Sequence, residues 1–203
     1  MPIRNASSLP EALYSADSVR AIDRYLIDQQ GVDGFELMQA AARAAFRQLL
    51  RHWPVPGLIL VLCGAGNNGG DGYLVAANAH RHGIAARCIA VAPTGKLAGD
   101  ALNALNRARA EGVSVEDIGE LGEDGLEKHL SSATLVVDAM LGTGVTGSPR
   151  EPFAGVIRRV NESGLPVLAV DLPSGLNATT GSSAGDVIQA KVTVTFIGAK
   201  AGL

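Results

Sequence analysis

Three aspartates and a serine, each just beyond an apolar run, are the residues of this chain best placed to do chemistry. Asp71 lies in GAGNNGGDG (64–72), directly after GLILVLC. Asp138 opens DAMLGTGVTG (138–147), after ATLVV. Asp171 opens DLPSGLNATTG (171–181), after LPVLAV, and Ser174 sits inside that loop. Glycines let backbone N–H groups turn toward a ligand, and a helix opening near Gly70 would point its positive end there. Phosphate is the expected guest. Asn67 and Asn68 either donate to phosphate or offer a carbonyl oxygen to a cation. A carboxylate, a serine hydroxyl, an asparagine carbonyl and backbone carbonyls form an all-oxygen set of low charge. Such a set suits a hard cation, and one or two carboxylates argue against tight calcium binding.

Each feature also has a plainer reading. Strand-to-helix turns are often rich in Gly and Asn, but five glycines in the nine residues 64–72 exceed what packing asks for, and close ligand approach explains the excess. A strand-end aspartate usually caps a helix or closes a loop, and Asp71 can be read as a helix cap. Asp138 and Asp171, on successive strands and each followed by a glycine-rich loop, point instead to a shared ligand edge. The histidines His52, His80, His82 and His129 read as surface residues. Lys200 follows a strand end within reach of the cleft, and its plainer reading is a solvated lysine near the chain end. No His/Cys metal spacing and no Ser–His–Asp order is present.

The elements that must position these residues follow from periodicity. Ser15 caps a helix with Val19, Ile22 and Leu26 at helical spacing. Asp33 opens a second one, with Glu36 as in a capping box and Phe35, Met38, Ala42, Phe46 and Leu49 on one face. Pro54 and Pro56 end it. Apolar runs at 57–63, 85–92, 133–140, 165–172 and 191–197 then alternate with helical segments at 70–82, 97–111, 122–130 and 152–163. Nearly continuous apolar strands are covered on both faces, and strand–helix–strand repetition gives parallel pairing with right-handed crossovers. The expected fold is α/β: a Rossmann-like three-layer α/β/α sandwich with a mostly parallel sheet, in which 1–203 form one domain. Ligands bind at the carboxyl ends of such strands, so Asp71, Asp138 and Asp171 are expected to share one cleft. The chain ends at AKAGL just after a strand, which reads as a C-terminal truncation.

Composition excludes several classes. The chain has 203 residues, 47% of them hydrophobic and 18% charged, with a net charge of −3. No basic run marks a nucleic-acid surface. No apolar stretch reaches the about 18 residues of a membrane span, and MPIRNASSLPEA lacks the core of a secretory signal. Cys63 and Cys88 lie in apolar runs and read as a reduced, buried pair, which places the chain in the cytoplasm. GAGNNG and GTGVTG both match G-x-G-x-x-G. The first is not followed by an acid at the end of the next strand, and the second runs into SPREP, whose prolines delay a helix. Neither reads as a dinucleotide fingerprint for redox chemistry.

NNGGDG (67–72), DAMLGTG (138–144), PREPF (149–153) and DLPSGLNATTG (171–181), in this order, resemble the NAD(P)H-hydrate epimerase family, the YjeF N-terminal domain. YSADSVRAID and ELMQAAARAAF are similar to its bacterial members, in which the domain is commonly fused to an ADP- or ATP-dependent NAD(P)H-hydrate dehydratase. The resemblance implies a repair activity: interconversion of the R and S epimers of NADH or NADPH hydrated at C6, with no redox step. It implies that Asn67, Asn68, Gly69, Gly70 and Asp71, with Gly142, Thr143, Gly144, Val145, Thr146, Gly147 and Ser148, hold the hydrated nucleotide (NADHX or NADPHX), with Asp171 beside it. It implies a potassium ion held by Asn68, Asp138 and Ser174, and a homodimer. Leaving of the C6 hydroxyl with support from the ring nitrogen, or ring opening and closure, needs one positioned acid/base group. Asp171 is the expected group and Asp71 the second choice. The sequence departs from many relatives at Gln39–Ala42, where they carry an ENAG-like stretch. The alternative reading is a non-catalytic Rossmann-like scaffold that binds a nucleotide or a protein.

Overall fold

The computed structural model describes residues 12–122, 124–144 and 147–203. In chain order the elements are β1 (Leu13–Tyr14), α1 (Ala16–Asp28), α2 (Gly34–His52), β2 (Ile59–Cys63), α3 (Asn67–Arg81), β3 (Ala86–Ala90), α4 (Gly99–Ala110) and β4 (Ser114–Asp117). After these come α5 (Gly125–Ser132), β5 (Leu135–Ala139), α6 (Phe153–Ser163), β6 (Val167–Val170), β7 (Val192–Val194) and β8 (Ala199–Lys200). Six strands form one sheet in the order β4-β3-β2-β5-β6-β7, with every pair parallel. β1 and β8 make a separate parallel ribbon.

The apolar runs become the buried centre of the sheet. All five residues of β2 and all five of β5 are buried, because helices cover both faces. Ile59, Val61 and Cys63 turn to the face packed by Phe46 and Leu49 of α2, Tyr73 of α3 and Leu105 of α4. Leu60 and Leu62 turn to the other face, against Leu126 and Leu130 of α5 and Ile157 and Val160 of α6. Alternate residues feeding two cores is what the period of two in a strand dictates. The expected three-layer α/β/α sandwich is thus the observed fold.

The caps also form as read. The Ser15 side chain accepts from Ser18 N, and that of Asp33 from Glu36 N. α2 stops at His52, just before the two prolines. The structure adds what periodicity did not announce. β4 is a half-buried edge strand, SVED, whose polar residues hide its pairing with β3. α3 begins at Asn67 rather than near Gly70. His129 is not a surface residue: it is 9% exposed at the end of α5, with Nε2 3.5 Å from Glu116 on β4. Cys63 and Cys88 are buried and free. Among the described residues no helix is long and apolar enough to cross a membrane.

Candidate active site

The chain leaves β2 toward β3 and β4 on one side, and returns to place β5, β6 and β7 on the other. The strand order therefore reverses between β2 and β5, and a crevice opens at their carboxyl ends. The loop after β2 and the loop after β5 meet there: Gly64 N donates to Ala139 O at 3.0 Å.

The glycines of 64–72 divide in a way the sequence reading did not anticipate. A Cβ on Gly64 would run into the Met140 carbonyl, and one on Gly69 into the backbone of Gly64. On Gly70 it would lie 2.7 Å from the Met38 sulfur, and on Gly72 2.6 Å from Ala139 Cβ. These four glycines let α3 pack tightly against the sheet, the β5 loop and its neighbours. Only Gly66, the residue before α3, faces open space. Packing thus explains four of the five glycines that ligand approach was expected to explain. What faces outward is backbone: no side chain caps Gly66, and the first N–H groups of a 15-residue helix point at the crevice edge.

Behind that edge sits a closed polar group. Asn68 Nδ2 donates to the Leu141 carbonyl at 3.1 Å, and Leu141 N donates to Ser174 Oγ at 2.9 Å. Ser174 donates through its backbone N–H to Asp138 Oδ2 (2.8 Å) and through Oγ to Asp138 Oδ1 (2.6 Å). Met140 N also donates to Asp138 Oδ1, at 3.2 Å. Burial pushes the Asp138 carboxyl up to about 6, and these hydrogen bonds offset part of the rise. Asn68 Oδ1 is buried and has no partner. A bare buried amide oxygen is costly unless something positive meets it. Oxygen atoms from one carboxylate, one amide, one hydroxyl and nearby carbonyls fit a singly charged cation. Among the described residues no group of three or more His, Cys, Asp or Glu gathers for a metal.

Asp138 is wholly buried, so the three aspartates do not share one open cleft as expected. Asp171 keeps different company. Its backbone is left-handed, with φ 65°, a conformation that aspartate tolerates better than most residues. Its Oδ1 accepts from the Lys200 ammonium, from Thr195 Oγ1 (3.3 Å) and from Phe196 N (3.3 Å). Among the described residues Oδ2 has no hydrogen-bond partner. Lys200 is not the solvated lysine the sequence suggested: it is 1% exposed. The Asp71 carboxyl is held well above the usual range, first by burial and then by the negative charges of Asp171 and Asp23. Asp23 is raised by burial and by Asp171, against the pull of Lys200. Asp71, Asp171 and Asp23 thus form one electrostatic group.

The remaining expected residues lie around this crevice. Asn67 is the first residue of α3 and is exposed. Gly142 packs against Asn68 Cβ, and Thr143 O accepts from Arg20 of α1 at 2.8 Å. Gly144 and Gly147 are exposed, and Ser148 Oγ donates to Ala184 O at 2.5 Å. Val145 and Thr146 lie outside the described residues. Sequence reading missed Asp23 and Arg20 and preferred a solvated Lys200 to one that reaches the cleft; the chain termini bring all three in. The one signal for Asp23 and Arg20 was their place on α1, and for Lys200 its place after a strand.

Comparison with known proteins bears on the family and the fold. Residues 34–202 match the family described as "YjeF-related protein N-terminus". The chain is 39% identical over 200 residues to the "Bifunctional NAD(P)H-hydrate repair enzyme Nnr" of Escherichia coli, covering 98% of this chain and 38% of that one. It is 36% identical over 191 residues to the protein of the same description from Coxiella burnetii, covering 94% of this chain and again 38% of the relative. The chain therefore spans under two fifths of the length of these bifunctional relatives. It is 35% identical to the "NAD(P)H-hydrate epimerase" of Rhodopirellula baltica, over 91% of this chain and 74% of that one. The crystal structure of yeast ynu0 superposes with a TM-score of 0.85 at 23% identity, over 94% of this chain and 82% of that one, which supports the fold. The sheet order, the crevice between β2 and β5 and a match across residues 34–202 lead to one conclusion: this chain belongs to the YjeF-related protein N-terminus family.

Proposed function

We propose that this chain is an NAD(P)H-hydrate epimerase, an isomerase that interconverts the R and S forms of NADHX and NADPHX. The observation that carries the reading is Asp171: a carboxylate at the sheet edge with one oxygen bound and the other free, in the same charged group as Asp71. The printed names of the relatives support it, since both the bifunctional and the shorter ones act on NAD(P)H-hydrate.

The phosphates of the substrate lie at the N-terminus of α3 and along the 142–148 loop, where backbone N–H groups and the amides of Asn67 and Asn68 receive them. Asn68, Asp138 and Ser174 would hold a potassium ion, which would supply positive charge next to the phosphate loops. At C6, Asp71 gives a proton to the hydroxyl oxygen. The C6–O bond breaks, its electron pair leaves with water, and the N1 lone pair forms the C6=N1 bond. Water then adds to the other face and gives a proton to Asp171, and solvent returns that proton to Asp71. No electron is gained or lost overall. The residues 1–203 act as one domain, in a homodimer, beside a dehydratase that is fused to it or separate. Buried free Cys63 and Cys88 suit the reducing cytoplasm.

The test uses an R/S mixture of NADHX, a separate S-specific dehydratase and its nucleotide. Without an epimerase, recovery of NADH stalls once the S form is consumed. Addition of this chain is expected to remove the R form at a rate proportional to its concentration. Recovery that stalls as in the blank rejects the reading.

A further inference from the structure

A buried lysine is expensive unless every donor finds an acceptor, and Lys200 meets that condition. Its side chain is wholly inaccessible. Its ammonium donates to Asp171 Oδ1, to Thr195 Oγ1 (2.8 Å) and to the Phe196 carbonyl (2.9 Å). Three donors therefore meet three acceptors, and Asp171 is the only carboxylate paired with it among the described residues. The arrangement depends on distant parts of the chain. Lys200 is held in β8, whose register pairs Tyr14 with Lys200, and Ala201 N donates to Tyr14 O at 2.9 Å.

The groups facing Asp171 come from each neighbouring element. α3 presents Asp71, whose carboxyl is raised well above the usual range, and α1 presents Asp23, raised less. The turn after β7 presents Thr195 Oγ1 and Phe196 N, and β8 presents Lys200. Three carboxyl groups thus meet one ammonium. A purely structural staple between β6 and β8 would be served as well by apolar side chains of the same volume. Here only Oδ1 of Asp171 is bound, by three donors, and Oδ2 has none among the described residues.

We propose that Lys200 is a positioning residue for the epimerase reaction: it pins the orientation of Asp171 through Oδ1 and leaves Oδ2 to take the proton of the returning water. This rests on the epimerase reading above. Removing the ammonium would leave Asp171 beside two other acidic groups with only Thr195 Oγ1 and Phe196 N to hold Oδ1.

The experiment compares wild type, Lys200→Met, Lys200→Arg, Asp171→Asn and the double variant Lys200→Met/Asp171→Asn in the R/S assay over pH 5 to 9. A wild-type chain without epimerase activity removes the underlying reading and with it this inference. In an active chain, Lys200→Met is expected to lower kcat by about 10²-fold with KM unchanged. Lys200→Arg, which keeps the charge and the donors, should recover most of that rate. The double variant should be no slower than Asp171→Asn alone, since Lys200 acts only through Asp171. An unchanged kcat, or losses that multiply in the double variant, overturn the proposal. If Lys200→Met does not fold, Lys200→Gln decides: it keeps a donor without the charge and is expected to lower kcat with KM unchanged, and a full kcat overturns the assignment.

Discussion

Ser174 grips Asp138 by both oxygens, with its backbone N–H on Oδ2 at 2.8 Å and its hydroxyl on Oδ1 at 2.6 Å. Asp138 lies inside β5 and Ser174 in the loop that follows the neighbouring parallel strand β6, so the grip ties strand and loop together at the base of the crevice. Since Asp138 is fully buried, no water can replace a donor that is lost. Ser174→Ala removes one donor to Asp138 and the acceptor of Leu141 N. We expect it to cost about 1–3 kcal/mol in urea unfolding, the cost of leaving a buried polar group unsatisfied. A loss under a few tenths would mean the group is not as closed as it stands.

The bare Asn68 oxygen predicts a response to potassium. In KCl the melting temperature should exceed that in an N-methylglucamine chloride buffer of equal ionic strength, because a ligand that binds only the folded state stabilises it by mass action, about 2.7 kcal/mol at a hundred times its Kd. Asn68→Ala should abolish the difference. A wild type indifferent to the cation would remove potassium from the site.

Asp71 and Asp23 set a pH dependence of stability. Both carboxyls are raised in the folded state above the ordinary 3.8. Below that value their contribution is fully present. As pH rises through their raised folded values the unfolded chain releases the protons more readily, and stability falls. Asp71→Asn removes the larger part of this fall. Its melting temperature at pH 8 should exceed wild type by about 2–4 °C, the shift that about 1 kcal/mol produces in a domain of this size, while epimerase activity drops. A variant that melts lower at pH 8, or keeps the wild-type slope, contradicts the assignment of a proton to Asp71.

Asp171→Asn keeps the volume and an Oδ1 acceptor for Lys200, yet should lose epimerase rate by about 10²–10⁴-fold, the range for one positioned acid/base group. Substrate binding, followed by calorimetry, should change far less. Full rate in the folded variant would move the chemistry elsewhere.

Two glycines separate packing from ligand approach. Gly72→Ala places a methyl 2.6 Å from Ala139 Cβ and 3.0 Å from the Cys63 sulfur, and overpacking of this kind costs about 1–3 kcal/mol. Gly66→Ala meets no atom within 4 Å, so its stability cost should stay near that of a weaker helix cap, about 1 kcal/mol or less. Nucleotide affinity should fall in Gly66→Ala, measured by titration. An unchanged affinity there would place the phosphates away from the α3 N-terminus.

The layered fold was legible because its signals are local. A run such as ILVLC needs both faces covered whatever surrounds it, and Ser15, Asp33, Pro54 and Pro56 act within a turn of where they stand. The segments at the ends of β2, β5 and β6 stand out for the same reason, since each carries Gly and Asp close behind an apolar run. β4 was missed because an edge strand is half solvated, and SVED carries no apolar period.

The sequence alone determined most element types, the α/β class and the strand ends near which Asn68, Asp71, Asp138, Asp171 and Ser174 stand. Only the tertiary structure decided how those residues divide. It buried Asp138 under Ser174 and turned most of the 64–72 glycines to packing. It also carried Asp23 and Lys200, from α1 and β8, to Asp71 and Asp171. The physical reason is the range of the interactions. Hydrophobic period and turn chemistry are written over a few neighbouring residues. The pairing of Tyr14 with Lys200 spans nearly the whole chain, and the charge state of a carboxylate depends on whatever the folded chain brings next to it.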